Sequence, residues 1–444
     1  MKLLRSFWGF IIILVVSVIL GFCFLILSYR INSDSILDHV KTSSEILAAE
    51  GDYYSITPKV MGSKLDNYTD CVMLNESLFF STNWNEVINY ALGGYEYYSE
   101  DGRTKSELLL AAADEGGRNE LKSGPNLNRF WNGYVVLLKI ALCFMNYSWI
   151  RYVNFNLQLI LIGIFAVLLY KRNLFWYSIP LLISYIFINP ITMGICFIFS
   201  MYFYCAVLPC IIILLFHEKL AVENRYRYLF AIVGIVTSYF CMNYIQLLTL
   251  VYPLTIYYLI DQKTENSKKK MLYFLELAFW WAAGYYGMMF AKWIVYGLFI
   301  NWDIINNIIS SVFFRLSANN YGTEFTRIDA VLRNLVEGLL NRINIMIEIM
   351  FILICLISIC KKRIQYRLNK TDIIVLTISF ALPIMRYFIF ANHVFIHYWV
   401  MYRLMVIPIL TLDIFLVRII MNCGKDVELS KTEGFGVPEN EKSI

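Results

Sequence analysis

Long apolar runs separated by short polar loops constrain the fold of this chain more than any other feature. Several runs reach the roughly 20 residues that a helix needs to cross about 30 Å of hydrocarbon. Lipid offers no partner to free backbone groups, and the runs are too long for barrel strands, so the spans must be helices. Only 16% of the 444 residues are charged and 59% are hydrophobic, whereas soluble chains average about 25% charged residues. We therefore predict an all-α polytopic membrane protein.

The hydrophobic pattern predicts about ten transmembrane helices. The first is too long for a cleaved signal peptide and ends in bulky residues, so we expect it to be retained. The others are predicted at residues 149–170, 174–189, 195–216, 228–242, 245–260, 272–298, 344–360, 372–390 and 398–420. The resulting segments are the first helix (1–30), an extracytoplasmic loop (31–148), helices 2–7 (149–298), a second extracytoplasmic loop (299–343), helices 8–10 (344–425) and a cytoplasmic tail expected to be disordered (426–444).

Lys and Arg residues fall in alternate short loops, and the positive-inside rule then sets the orientation. It places both termini in the cytoplasm, and the two long polar loops and the turn at 391–397 outside. Because the basic residues are divided among loops, the net charge of +5 does not indicate nucleic-acid binding. Most of the Cys residues lie inside apolar runs, and we interpret them as small core residues.

The first loop, at 31–148, is the only sizeable segment with an acidic excess, with 16 Asp and Glu against 9 Lys and Arg. Two stretches, at 35–49 and 105–115, have amphipathic patterns and are predicted to be helices. A third, apolar stretch contains Lys139 and is flanked by aromatic residues. We expect it to form a helix in the membrane interface rather than across the membrane.

The acidic residues Asp66 and Asp70 stand four positions apart in this loop, and Glu76 follows closely. If the stretch is helical, the two aspartates share one face. We predict that they face the mouth of the helical bundle. The alternative is that they are solvated caps or turn residues in a folded loop, and for Glu76 a structural role is the favoured interpretation.

Several cations are predicted near the outer ends of distant helices. A charge at the bilayer centre costs at least about 2.5–3.5 kcal/mol, so such residues usually pair or face a cavity. These residues are Lys292, Arg386, His393, His397 and Arg403. Lys292 and Arg403 could instead extend to lipid headgroups. The two histidines could share one helix face, but no third ligand for a metal is identifiable, so we assign no metal or cofactor and leave a divalent metal open.

Acids from the first loop and cations from distant helices thus converge at one depth. This suits an anionic lipid-linked substrate, since cations bind phosphate and a carboxylate activates a hydroxyl group.

Four short stretches carry a resemblance to known proteins. They are residues 66–70, with the sequence DNYTD, residues 129–134, residues 284–285 with 292–293, and residues 392–403, with the pattern NHxxxHxxxxYR. In its arrangement of spans, the chain resembles the GT-C superfamily of integral membrane glycosyltransferases. In the four stretches it is similar to a group of bacterial multi-pass membrane proteins, which often carry His at the position of Asn132 and an acid at that of Asn243.

The resemblance implies transfer of a sugar from a polyprenyl-phosphate donor to a cell-surface glycan, teichoic acid or lipid-linked acceptor, at the outer side of a bacterial plasma membrane. Asp70 or Asp66 would then be the catalytic base. Lys292, Arg403 and Arg386 would bind the donor phosphate. The remaining substrate-binding candidates are His393, His397, Arg129 and Glu76.

Two other functions stay open. A polymerase that joins lipid-linked repeat units would rely on arginines of the second loop, here Arg315, Arg327, Arg333 and Arg342. A flippase or transporter of a lipid-linked saccharide would usually show internal repeats and polar groups at mid-membrane, and the sequence shows neither clearly.

Overall fold

The computed structural model describes residues 2–32, 34–261, 267–320, 322–361 and 370–433, and these residues are mostly helical. The helices are α1 (Lys2–Ser28), α2 (Asp34–Glu50), α3 (Asn67–Ser77), α4 (Trp84–Gly93), α5 (Lys105–Ala113), α6 (Glu115–Arg118), α7 (Tyr134–Leu142), α8 (Tyr147–Lys171), α9 (Ser178–Phe187), α10 (Pro190–Ile195), α11 (Phe197–Ala221), α12 (Tyr226–Phe240), α13 (Leu247–Ile260), α14 (Ser267–Phe299), α15 (Ile304–Leu316), α16 (Arg327–Arg333), α17 (Arg342–Lys361), α18 (Lys370–Ile389), α19 (Ala391–Ile396), α20 (Tyr398–Met401) and α21 (Val406–Glu433). Two small antiparallel sheets pair β1 (Tyr95–Tyr98) with β2 (Lys122–Pro125), and β3 (Asn319–Asn320) with β4 (Thr323–Glu324).

Five of the described helical segments are long and apolar enough to cross a membrane. They are Ser6–Ser28, Tyr147–Lys171, Phe197–Ala221, Arg342–Lys361 and Tyr398–Met421. Helices also occupy the other five segments predicted to span, but the apolar parts of four of them are shorter, and α14 carries several charges. The prediction of a mostly helical chain with several helices able to cross a membrane is therefore confirmed, whereas the number of ten spans stays a prediction.

Residues 34–125 of the first loop fold as five helices, α2 to α6, and the antiparallel pair of strands β1 and β2, which α5 and α6 separate in sequence. Both stretches predicted to be amphipathic helices are helical, as α2 and α5. Thr104 and Glu107 form a capping box at the start of α5, and the Asp52 carboxylate accepts from the amides of Lys105 at 3.1 Å and Ser106 at 2.9 Å. These caps satisfy amides that a helix start leaves without partners, which fixes α5 against α2.

Lys139 lies in α7, whose nine residues are too few to cross a bilayer. The side chain is fully buried, and its ammonium donates to the carbonyl of Phe79 at 2.7 Å and lies 5.1 Å from the ring centre of Tyr29. Lys139 therefore ties α7 to the segment after α3 and to the end of α1.

The backbones of α12 and α14 approach each other closely at two glycines. Gly234 faces the carbonyl of Trp281, and Gly284 faces the carbonyl of Ala231, so a methyl group at either glycine would overlap the opposite backbone. The turn after α12, at 241–246, lies beside the junction of α18 and α19, because Arg386 and His393 both contact Asn243.

The second loop contains α15, the β3–β4 hairpin and α16, which pack against α19. The amide of Asn392 donates to the carbonyl of Ser317 at 3.0 Å, so the loop is fastened to the turn that carries the two histidines. The helix α21 continues through Asp426 to Glu433, and the disordered tail stays a prediction. Residues 434–444 lie outside the described residues.

Candidate anion-binding site beside Asp66

Asp66 is the N-cap of α3. Its carboxylate accepts from the amide of Thr69 at 3.1 Å and from the Thr69 hydroxyl at 2.9 Å. The side chain is buried, with 3% of its surface exposed. Its own amide donates to the sulfur of Cys196 at 3.3 Å, which joins the first loop to the start of α11.

Asp70, one turn later, caps a different helix. Its carboxylate accepts from the amides of Phe197 at 3.2 Å and Ile198 at 3.1 Å, the first residues of α11, and from the Tyr147 hydroxyl. A carboxylate at the start of a helix satisfies free amides and favours the helix dipole. The capping role left open for both aspartates is thus what the structure shows, and Asp70 uses both its oxygens for it.

Both carboxyl groups have raised pKa values, and burial is the largest cause for each. Burial, followed by the negative charge of Asp70, raises the pKa of Asp66 to about 7. Burial raises the pKa of Asp70 to about 6, against the hydrogen bond from Tyr147 and the charge of Arg151. A carboxyl group that titrates near neutral pH is suited to accept a proton from a substrate. Asp66 has this property with fewer structural contacts than Asp70.

Tyr244, in the turn between α12 and α13, connects Asp66 to a group of basic residues. Its hydroxyl lies within hydrogen-bonding reach of the Thr69 side chain that contacts Asp66. Its ring stacks on His393, with ring centres 5.6 Å apart, and meets His397 edge-on at 5.3 Å. The acidic and basic halves of the site are therefore one tyrosine side chain apart.

Five side chains form what we call the Arg–His cluster: Arg129, Arg315, Arg386, His393 and His397. Arg386 binds the turn at Asn243, donating to its carbonyl at 3.1 Å and to its side-chain oxygen at 3.2 Å. His393 donates from Nε2 to the same carbonyl at 3.0 Å, and its Nδ1 accepts from Arg315. Burial and the charge of Arg315 lower the pKa of His397 to about 4, so this ring is neutral.

The arginines of the cluster are not neutralised. Arg129 binds the Ser311 hydroxyl, and burial together with the charge of Arg315 lowers its pKa. In the part of the chain that the structure describes, no Asp or Glu forms an ion pair with Arg129, Arg315 or Arg386. The Nε atoms of Arg129 and Arg386 are also buried without a hydrogen-bond partner. Gathering uncompensated guanidinium groups costs free energy, and a bound anion would offset that cost.

Arg403, predicted as a phosphate ligand, is instead enclosed by backbone. Its Nε donates to the carbonyl of Ile188 at 2.9 Å and one Nη donates to that of Gly62 at 3.2 Å. The other donors bind Trp399, Val400 and Thr192. All five donors are used and the side chain is fully buried, so Arg403 joins the first loop to α9, α10 and α20.

Lys292 and Glu76 form a second buried group apart from the cluster. The Lys292 ammonium donates to the carbonyl of Leu92 at 2.7 Å and lies over the Trp131 ring. Glu76 accepts from Asn132 at 3.1 Å and from the Tyr134 hydroxyl at 2.8 Å. Both side chains are fully buried. Lys292 attaches α14 to α4, and Glu76 attaches α3 to the start of α7, as the structural interpretation of Glu76 expected.

On the outward side of Asp66 lie two tyrosines with exposed rings. Tyr53 and Tyr68 are nearly parallel, with ring centres 5.9 Å apart, and each exposes about two-fifths or more of its surface, 46% and 39%. Lys64 lies 5.6 Å from the ring centre of Tyr53. Burial and the charge of Asp66 raise the pKa of Tyr53, which indicates how closely the phenol adjoins the carboxylate.

Among the described residues, no three His, Cys, Asp or Glu side chains are grouped so that they could hold a metal. Both ring nitrogens of His393 are occupied by protein partners. The divalent metal left open by the sequence stays a prediction.

The sequence predicted four members of the cluster but weighed Arg315 only as a polymerase arginine, and it assigned nothing to Tyr244. The one available signal for Tyr244 was its position in a short loop without Lys or Arg.

No family model, no curated protein and no solved structure matches this chain.

Proposed function

We propose that this protein is an integral membrane glycosyltransferase that moves a sugar from a polyprenyl-phosphate-linked donor to an acceptor on the extracytoplasmic side. The acceptor class is a cell-surface glycan, teichoic acid or lipid-linked saccharide. The proposal includes a GT-C-like bundle of about ten spans with both termini in the cytoplasm of a bacterium. One observation carries it: three arginines that form no ion pair with a described Asp or Glu lie near the buried Asp66, whose pKa burial raises to about 7.

The Arg–His cluster is the proposed site of the donor phosphate. Guanidinium groups bind phosphate through paired charge-assisted hydrogen bonds. Arg315 and Arg129 approach from the second and first loops, and Arg386 from α18. As the bond between the sugar and the phosphate oxygen breaks, negative charge develops on the phosphate, and these groups would stabilise it.

Asp66 is the proposed base. The acceptor hydroxyl attacks the anomeric carbon, Asp66 takes the hydroxyl proton, and the polyprenyl phosphate leaves with the electrons of the broken bond. The Tyr244 side chain lies between the Asp66 carboxylate and the Arg–His cluster. The exposed rings of Tyr53 and Tyr68 lie on the other side of Asp66 and offer flat apolar faces to the acceptor. Asp70, Lys292 and Arg403 support this site from buried positions.

A repeat-unit polymerase is a second candidate, favoured by the position of Arg315. This arginine comes from the second loop and lies at the centre of the cluster, between His393 and Arg129. Both functions need a phosphate site, and they differ in product. A polymerase would extend chains of repeat units, whereas a glycosyltransferase would add one residue.

The test is sugar transfer by the full chain in liposomes, supplied with a panel of polyprenyl-phosphate-linked hexoses and envelope glycan acceptors. We expect Asp66→Asn to lower the rate by about 10²- to 10⁴-fold. Asp114→Asn is the matched control, because Asp114 is also an N-cap in the first loop but is exposed. Full activity of Asp66→Asn would refute the assignment of the base, and transfer absent from the native chain with every donor would refute the proposal.

A further inference from the structure

Two carboxyl side chains meet between membrane-spanning helices, away from the Arg–His cluster. Glu348 belongs to the candidate span Arg342–Lys361, and Asp413 to the candidate span Tyr398–Met421. The helices α17 and α21 pack against each other, and the two carboxyl groups lie within hydrogen-bonding reach. Asp413 is fully buried and Glu348 is half-buried.

Three oxygens of this pair receive no hydrogen bond from the other residues that the structure describes. Both oxygens of Asp413 and Oε2 of Glu348 are buried without a hydrogen-bond donor. In the described ranges, no Lys, Arg or His forms an ion pair with either residue. Buried acceptors without a donor are rare in folded proteins, and each such oxygen requires an explanation.

Other titratable groups on the helices around the pair do not explain it. The Cys355 thiol lies seven residues beyond Glu348 on α17, and a thiol is only a weak hydrogen-bond donor. The remaining titratable side chains described on the packed helices α9 and α18 are Tyr185, Arg386 and Tyr387. Arg386 already binds the Asn243 turn.

A bound proton is the ligand that would supply a hydrogen-bond donor to these carboxyl oxygens. Two ionised carboxylates in a low-dielectric setting without a cation would repel each other and lose their hydration, which costs several kcal/mol. A proton on one carboxyl provides a donor for the other, removes one charge and turns repulsion into a hydrogen bond. A metal is less suited, because no third His, Cys, Asp or Glu of the described chain joins the pair.

We propose that Glu348 and Asp413 form a proton-binding site within the membrane, in which one proton is held between the two carboxyl groups. The bound proton fastens α17 to α21. Because α17 otherwise packs chiefly on α9, loss of the proton would leave two like charges at its main contact and loosen the helix. This inference does not depend on the proposed glycosyltransferase activity, since none of its residues touches the Arg–His cluster.

The test uses dicyclohexylcarbodiimide, an apolar reagent that adds to protonated carboxyl groups, on the full chain in liposomes. Mass spectrometry of peptides is expected to locate one adduct per chain, on Glu348 or Asp413. Labelling should fall about tenfold for each pH unit above the midpoint of the pair's titration. The Glu348→Gln/Asp413→Asn double variant should lose the adduct, and Cys355→Ser, which removes a thiol that could compete for the reagent, should keep it.

Glu276 provides the matched control. It lies on α14 and is paired with Arg227 at 2.7 Å, so we expect it to stay unlabelled and Glu276→Gln to leave the adduct unchanged. The native chain alone decides the question if the double variant fails to fold. An unlabelled pair at mildly acidic pH, or labelling that does not change with pH, would overturn the proposal.

Discussion

Replacing Asp66 by asparagine should stabilise the protein while it abolishes the proposed activity. Asn is as good an N-cap as Asp, and its oxygen can still accept from the amide of Thr69, while its amide group donates to the Thr69 hydroxyl. The fold therefore keeps its contacts. What changes is the cost of ionising a carboxyl group that is 3% exposed and lies near Asp70.

The magnitude follows from the pKa. Asp66 moves from an ordinary pKa of 3.8 to about 7, and each pKa unit corresponds to about 1.4 kcal/mol. Because the folded pKa is raised, the folded state holds the proton more tightly, and stability falls as the pH rises from about 4 through 7. Above pH 7 the cost of ionising Asp66, on the order of 4 kcal/mol, lowers the free energy of unfolding of the native protein and is absent from the variant.

The assay is unfolding of the purified chain in detergent, followed by tryptophan fluorescence, for native protein and Asp66→Asn at about pH 4 and about pH 8. We expect equal stability near pH 4 and a clear advantage of the variant near pH 8. Asp114→Asn, in an exposed cap, should show no such pH-dependent gain. A variant that is less stable than the native protein at both pH values would show that Asp66 is a structural residue rather than a strained functional one.

Three further outcomes are expected. Asp70→Ala should lower the free energy of unfolding by about 3 kcal/mol, because Phe197 and Ile198 lose a charged acceptor, and thermal unfolding in detergent measures this. Arg403→Lys should cost about 2–3 kcal/mol, since an ammonium has three donors for five acceptors, yet transfer per folded molecule should stay native. The transfer rate should rise with pH up to about 7 and then level off, as Asp66 becomes able to accept a proton; a rate that falls over this range would contradict its role.

The helical segments could be predicted from the sequence because lipid imposes length and hydrophobicity on each helix separately. The amphipathic helices α2 and α5 were predictable for a similar reason, since their apolar periodicity is local. How the segments pack was not predictable. The close crossing of α12 and α14 at Gly234 and Gly284 depends on two glycines facing each other across the bundle, which periodicity does not reveal.

The candidate site was predictable in its residue types and only partly in its membership. A buried cation looks the same in sequence whether it binds a ligand or backbone carbonyls, so Arg386 and Arg403 could not be told apart. The structure separates them, because Arg403 uses all its donors on the protein and Arg386 retains a free Nε. The membership of Arg315 could not be predicted, because it depends on the folded second loop, which contacts the turn that carries His393.

The central claim is that the Arg–His cluster binds the phosphate of a lipid-linked substrate, and binding of polyprenyl phosphate to the purified full chain tests it most directly. Arg129→Gln and Arg315→Gln each remove a charged donor that contacts no backbone carbonyl in the described structure. Each should raise the Kd about tenfold or more, whereas Arg103→Gln, a surface arginine paired with Asp101, should leave it unchanged. Equal affinity of all three variants and the native chain would contradict the account.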